Sequence, residues 1–402
     1  MKPKTPQQMM KKAHTKLITL LISALISQTK VSAQITITKI KSEDQDEWDL
    51  YAKGLIQADF MLDFQDMKVR DGFIAHSIDI PQHNAVSSNF SIKQSQVGLG
   101  VQRKKGNGNT NLSAYLEIDF YGPNGTTAPR FRHGYIQWNK WLIGQTWSTF
   151  SDLEIVPNIF DFVPPNGLLF TRRLQVRYST PVSRKGTLQL SMEDPNIPSI
   201  TLPSDSLNWK KRAMIPTFTA MYRYGSEKTY IKAGAILSPI SYDWKQSPQD
   251  PYRVRTIIGW GAMVSGKLRI DESNTVSLQS SFGKGFSTNN TDLNEEKYDA
   301  VPDPANGNQL ETLRLFNIVG IYEHWWNSKW SSVAFISHSN VGEEDFISKN
   351  MTKNFQHIGM NIAFHPFKKV RMGIETSYGR KQNFENKQAS AWRIQCSTSV
   401  SF

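Results

Sequence analysis

The sequence predicts an all-β fold, a transmembrane antiparallel β-barrel of about 16 strands with one loop folded inward as a constriction. Three observations predict it. The chain ends on an alternating strand whose last residue is aromatic, it opens with an export signal, and the region between holds strand-like segments joined by connections that are alternately short and long.

In the tail, Trp392, Ile394, Cys396, Thr398, Val400 and Phe402 fall on one face, and Arg393, Gln395, Ser397, Ser399 and Ser401 on the other. A period of two with one apolar side is a strand. A last strand of this kind looks like the insertion signal of bacterial outer-membrane barrels, with Val400 and Phe402 as its end and the barrel-assembly machinery as its reader. The same tail would also suit an edge strand of a secreted β-sandwich.

At the other end, Lys2, Lys4, Lys11, Lys12 and Lys16 precede the apolar run 17–26, and Val31, Ser32 and Ala33 are followed by Gln34. This is a secretory signal with cleavage near Ala33. The run is too short for a spanning helix, and no later stretch approaches the roughly 20 apolar residues one needs. The predicted organisation is therefore a signal peptide at 1–33, a short periplasmic lead-in at 34–53 and a barrel at 54–402. The formal charge of +12 includes six lysines of the signal, leaving about +6 for the product. That excess, without a basic run interleaved with aromatics, is no nucleic-acid signature. Cys396 is the one cysteine, so no intramolecular disulfide can form, and an exported chain must be held by other means such as a closed strand network.

The predicted strands are 55–66, 90–102, 111–121, 130–138, 141–147, 171–179, 186–193, 213–224, 229–237, 253–268, 275–286, 312–325, 329–338, 355–364, 369–380 and 391–402. Tight turns occupy 105–109, 183–186, 225–228, 271–274 and 365–369, each with turn-forming residues. Long polar connections such as 194–212 and 287–311 alternate with them. Short turns on one side and long loops on the other describe a barrel with turns in the periplasm, and an even count lets the first strand close on the last.

Alternation assigns each side chain a face. If Leu174, Val176 and Tyr178 meet lipid, Arg173, Gln175 and Arg177 face the lumen. The same parity turns Arg223, Lys232, Arg253, Arg255, Lys267, Arg269, Arg371 and Arg393 inward, against the inward acids Asp59, Asp63, Glu117, Asp119 and Glu375. Ten basic groups against five acids would make a lumen that concentrates anions, and arginine suits bidentate capture of carboxylates. Parity leaves the fourth strand open. Arg130 and Arg132 share a side with Ile136 and Trp138, whereas Phe131 and Tyr135 share theirs with His133 and Gln137.

The segment 142–167 is rich in Trp, Phe, Ile and Val, which a free extracellular loop would not expose. Folded against the inner wall it would form a constriction, with Asp152, Glu154 and Asp161 facing the arginines across the narrowest point. An apolar contact between subunits at a loop tip is the other place for these residues.

Pro129–Trp138, Gly144–Phe150, Asp161 and Phe162 ahead of Arg172–Arg177, and Tyr378–Arg380 with the terminal Phe together resemble the DcaP-like family of outer-membrane porins. The resemblance implies a 16-stranded homotrimeric barrel passing small anionic solutes, and it puts the family's inward basic residues on Arg173 and Arg177. Some members carry a long periplasmic coiled coil before the barrel. Residues 34–53 are too few for one and lack a sustained heptad pattern, so a trimer here would be held by the barrel walls.

Catalytic and metal motifs are missing: there is no Gly-x-Ser-x-Gly elbow, no His-Glu-x-x-His, no P-loop and no paired cysteine, and the eight histidines lack ligand spacing. The expected function is a porin without cofactor or metal, a passive channel of the outer membrane for small hydrophilic, preferentially carboxylate-bearing solutes. The alternative is a secreted or surface-bound β-sandwich that binds carbohydrate through its Trp and Tyr.

Overall fold

The computed structural model describes residues 34–41, 46–104, 110–196, 198–203, 208–294 and 296–402. The expected signal at 1–33 and the expected turn at 105–109 lie outside the described residues. Strand β1 (Ile35–Lys41) is followed by β2 (Glu47–Asp63), β3 (Ser87–Ser91), β4 (Gln96–Lys104), β5 (Thr110–Asp119), β6 (Arg130–Trp138) and β7 (Trp141–Trp147). Then come β8 (Arg172–Pro181), β9 (Gly186–Glu193), β10 (Trp209–Arg212), β11 (Thr217–Gly225), β12 (Tyr230–Trp244), β13 (Arg253–Arg269) and β14 (Asn274–Lys284). The last seven are β15 (Ala300–Asp303), β16 (Gln309–Thr312), β17 (Arg314–Trp325), β18 (Trp330–Val341), β19 (Thr352–Phe364), β20 (Val370–Asn383) and β21 (Gln388–Ser401).

Sixteen of them, β2, β4 to β9, β11 to β14 and β17 to β21, pair antiparallel in sequence order, and β21 returns to β2 from Leu55 opposite Ser401 to Asp63 opposite Arg393. Each of the sixteen predicted strands corresponds to one of these. The ring is a closed barrel, which excludes the sandwich alternative. Among the described residues the other sheet is the hairpin of β15 and β16. Strand β3 pairs with 59–63 of β2, and β4 with 47–55 of it, so β3 and β4 are two halves of one wall strand.

The lead-in needs correction. The first barrel strand begins at Glu47, eight residues before the expected start, and β1 pairs with its 47–52 portion. Trp48, Leu50 and Ala52 simply continue the outward parity of β2 beyond the point where β21 ends, and β4 pairs with that extension from Gly54–Val97 to Glu47–Lys104. The acid-rich 42–45 lies outside the described residues.

Side-chain alternation is plain in the closing strand. In β21, Trp392, Ile394, Cys396, Thr398 and Val400 are exposed on the outer wall, and Arg393, Gln395, Ser397, Ser399 and Ser401 are buried on the inner one. Outward aromatic pairs mark two girdles. Trp141 with Tyr178 and Trp330 with Phe364 lie near the short turns, while Phe60 with Phe90, Trp260 with Phe282 and Tyr378 with Trp392 lie near the long loops. Between them the outer wall is aliphatic, as Ile143, Leu174, Val264, Leu278 and Ile374 illustrate. This is the surface that outer-membrane lipid selects.

The long connections do not all point away. The 285–313 loop, of which 287–311 was expected as a long polar connection, buries Ser287, Thr288, Asn289 and Asn290 and carries the β15–β16 hairpin. The 148–171 loop is buried with it.

At the seam, Phe402 and Gly54 exchange two backbone hydrogen bonds of 2.9 Å. The Phe402 ring lies over Gly54, where a Cβ would stand 2.2 Å from Cζ. Deleting Phe402, or making Phe402→Asp, should therefore block insertion, because the last strand loses its aromatic end and the ring that covers the closing glycine. Immunoblots of outer-membrane fractions test this: wild-type levels of the truncated chain would overturn it.

Candidate functional site

Of the charged side chains that parity turned inward, Asp59, Asp63, Asp119, Arg173, Lys232, Lys267, Glu375 and Arg393 are buried on the inner wall, and several are matched. Arg393 makes a two-pronged bond to Asp63 at 2.6 and 2.9 Å and lies 3.5 Å from Asp161. Arg223 binds Glu154 in the same manner at 3.0 and 2.9 Å. Buried Lys232 sits 2.6 Å from Asp152 and 3.0 Å from Glu154. Arg173, 1% exposed, lies 3.4 Å from Glu193 and donates to Asn289 of the 285–313 loop at 3.2 Å. Arg371 donates to Asn158 at 2.5 Å and lies 4.4 Å from the Phe160 ring. Arg269 donates to the turn carbonyls of Asp271 and Glu272. At the loop end of β13, Arg255 stands opposite Tyr242, and Arg253 lies 5.8 Å over the Trp244 ring.

Strand β6 explains its own ambiguity. The register slips between the pairs Glu117–His133 and Ile118–Phe131, so Arg132 is the extra residue of a β-bulge. Parity reverses there. Arg130, Arg132 and His133 all reach the inner side, while Phe131, Ile136 and Trp138 are exposed outside. Arg132 bonds Glu117 at 2.7 Å and Asp119 at 2.9 Å, and Arg130 takes both oxygens of Asp119 at 3.0 and 2.8 Å.

The 148–171 loop touches inward side chains around most of the wall. Ser148 and the Thr149 amide bond Glu193 of β9. Asp152 accepts from Lys232, Tyr230 and Ser265 at 2.6 to 3.0 Å. Asn158 reaches β18, β19 and β20 through Ser331, Asn361 and Arg371. The Phe160 and Asp161 amides donate to Glu375 at 2.7 and 3.1 Å, and Gln57 donates to the Phe160 carbonyl at 2.9 Å. Phe162 packs on Tyr121 with ring centroids 4.0 Å apart. The expected arrangement of loop acids facing arginines across a gap is thus corrected for Asp152 and Glu154, which contact Lys232 and Arg223 directly. Their carboxylates are spent on anchoring, since an isolated buried charge would be far too costly. Burial alone would raise both, yet Lys232 and its neighbours hold them below the usual carboxylate range.

Sequence reasoning undercounted the inward acids. Glu193 and Glu323 share the inward parity of β9 and β17 and are buried. It also missed the role of the 285–313 loop, whose Asp292 accepts from the Gly167 amide at 2.9 Å and whose Asn289 meets Arg173. A run of Ser, Thr and Asn at 287–291 carries no hydrophobic signal that would bury it.

What remains unspent is narrower. Arg177 is turned inward, has no carboxylate within 4.0 Å among the described residues, and its Nε is buried without a partner, whereas the Nε of Arg173 lies 3.4 Å from Glu193 and its Nη1 has no hydrogen-bond partner. A guanidinium without a carboxylate partner keeps its positive potential, the complement of a carboxylate or phosphate.

Two outcomes follow for the loop. Phe160 is fully buried and its ring fills the space over Gly373, where a Cβ would come within 2.7 Å of it. Replacing Phe160 and Phe162 with Ser should release the loop, at a cost of roughly 3 kcal/mol or more for a buried ring, and single-channel currents should rise or become noisy; unchanged currents would overturn the anchoring. Burial pushes the Asp161 carboxyl up to about 7, against the pull of Arg393. Between the unfolded value of about 4 and that figure, the folded protein holds a proton that the unfolded chain has released. Stability should therefore fall as pH rises through this window, by up to about 1.4 kcal/mol per unit, and Asp161→Asn should remove that slope. Unfolding midpoints in detergent from pH 5 to 8 check it, and an identical slope in the variant would show Asp161 ionised throughout.

Solved structures share this architecture. The outer membrane channel DcaP of Acinetobacter baumannii superposes with a TM-score of 0.74 at 19% identity, covering 91% of this chain and 100% of that one. An anion-selective porin from Comamonas acidovorans gives 0.59 at 9% identity over 88% of this chain and 100% of its own. OmpT of Vibrio cholerae gives 0.54 at 10% identity over 91% and 100%. A comparison with curated protein sequences gives no match. The model of one family, the DcaP outer membrane protein, matches residues 17–402, and the chain belongs to that family.

Proposed function

We propose that the chain forms a passive outer-membrane channel that prefers small hydrophilic anions, carboxylates above all. The observation that carries this reading is Arg177, whose Nε is buried without a hydrogen-bond partner and which has no carboxylate within 4.0 Å among the described residues. Asp63 and Asp119 each give both oxygens to arginine, and Glu193 accepts from Ser148, Thr149 and Ser191. The 148–171 loop sets the size limit as the constriction, the signal peptide is removed near Ala33, and three copies associate through their walls after insertion by the barrel-assembly machinery. Nothing in the site calls for catalysis.

Arg173 and Arg177 changed together to Gln should lower anion selectivity more than conductance, because the charge goes while much of the volume stays. Arg177→Gln alone should account for most of the shift, since Arg173 is partly engaged by Glu193 and Asn289. The effect on a passing anion is on the order of 1 to 4 kcal/mol at contact. It should be large in dilute salt and small near 1 M, where the Debye length is about 3 Å. Reversal potentials across a salt gradient measure it, and wild-type values for the double variant in dilute salt would overturn the assignment.

A further inference from the structure

Three tyrosines follow one another around the inner wall. Tyr51 of β2 stands opposite Gly100, Gly100 opposite Tyr115 of β5, and Tyr115 opposite Tyr135 of β6. The Tyr51 and Tyr115 rings are stacked at 15° with centroids 6.4 Å apart, and Tyr115 and Tyr135 lie 5.9 Å apart at 53°. Glycines keep these rings flat on the wall. A Cβ on Gly100 would come within 2.2 Å of the Tyr51 ring, and one on Gly98 within 2.3 Å of the Tyr115 hydroxyl. A row in strand register climbs the barrel as the strands tilt, so the tyrosines form a track that runs along the channel as well as around it.

The flanks of the track are polar and charged in a definite pattern. Lys53 holds its ammonium 5.4 Å over Tyr51 and 5.7 Å over Tyr115, with no carboxylate within 4.0 Å among the described residues. On that side Tyr115 donates to Glu117 at 2.6 Å. On the other side the neighbouring register row runs Ser113, Gln137, Leu142, Arg177. Tyr51 itself is buried beneath Lys53, so the surface offers the half-buried faces of Tyr115 and Tyr135, acceptors and donors beside them, and a cation at each end.

We propose that this track takes cyclic sugar acids, molecules with a pyranose ring, several hydroxyls and one carboxylate. The inference rests on the anion-channel reading and names the solute class of that channel. An apolar ring face lies on a tyrosine, the hydroxyls meet Glu117 and the Ser113–Gln137 row, and the carboxylate is passed between Lys53 and Arg177. A spacing of about 6 Å lets a ring engage the next tyrosine before it leaves the last. An open-chain polyhydroxy acid has the charge and hydroxyls without a flat face. An aromatic acid has the face, yet would leave the flanking polar groups unmatched.

The test uses the full-length protein in planar bilayers carrying chloride current, with sodium glucuronate, gluconate or benzoate added. Glucuronate should interrupt the current at a concentration roughly five- to tenfold lower than gluconate, the size of effect one ring contact gives. The Tyr115→Leu, Tyr135→Leu double variant should erase that difference while chloride conductance stays within about twofold. Equal action of glucuronate and gluconate on the wild type, with chloride flowing, would overturn the track and leave the channel standing; that comparison needs no variant to fold. Benzoate acting below glucuronate would overturn the sugar class. A difference that survives in the double variant would place recognition away from the tyrosines. Absence of any chloride current would overturn the channel reading itself, and this proposal with it.

Discussion

The structure depends on one constraint: in a lipid band, every backbone N–H and C=O must be paired within the protein. A sheet meets it only by closing. Here closure rests on the seam between β2 and β21, nine residue pairs long and ending on the mutual hydrogen bonds of Gly54 and Phe402. An open seam would present two unpaired edges to hydrocarbon, each group costing several kcal/mol. The inside-out distribution follows from closure. The outward positions must be apolar, so the polar and charged residues collect on the inner side, and there they must find partners.

They find them largely in one another. Removing Arg393, Arg132 or Lys232 would strand a buried carboxylate, and removing the carboxylate would strand the cation. The 148–171 loop is held by the same logic. Its backbone amides at 160 and 161 use Glu375, its Asp152 uses Lys232, and its Glu154 uses Arg223. A loop fixed by charge at several points of the wall, with Phe160 seated over Gly373, does not need a continuous apolar core. The apolar residues that marked it in the sequence divide between two clusters: Phe150 and Leu169 pack with Phe286 and Met263, and Ile155, Ile159 and Leu168 pack with Val319 and Phe335.

Much of this was legible because a strand's period is two and lipid enforces it. The strand count and the closing pair came from alternating segments and the turns between them. Parity fails where a strand is not regular. The bulge at Arg132 adds one residue, so neither reading of β6 was self-consistent, and that inconsistency was itself the signal. What sequence alone could not give is pairing between distant elements. Nothing near Glu154 says that Arg223 will meet it, and nothing in the polar run 287–291 says that it will be buried under the loops. The expectation of ten basic groups against five acids failed on this account: Glu193, Glu323 and the loop acids absorb charge that a count by strand left over.

That failure sharpens the account of selectivity. If lumen charge were simply summed, each arginine would matter about equally and the loop acids would oppose them. Where a cation is bound to a carboxylate a hydrogen bond away, as Arg393, Arg223, Lys232 and Arg132 are, the two fields largely cancel beyond a few ångströms, and screening by salt removes more of what is left. The potential a solute feels is then set by the cations that no acid has claimed. Arg177 on β8 and Lys53 on β2 are two with no carboxylate within 4.0 Å among the described residues, and the tyrosines lie between them on the same inner wall. Charge left unspent beside a flat aromatic surface is a different device from a ladder of equal arginines, because it discriminates by the shape of the anion as well as its sign.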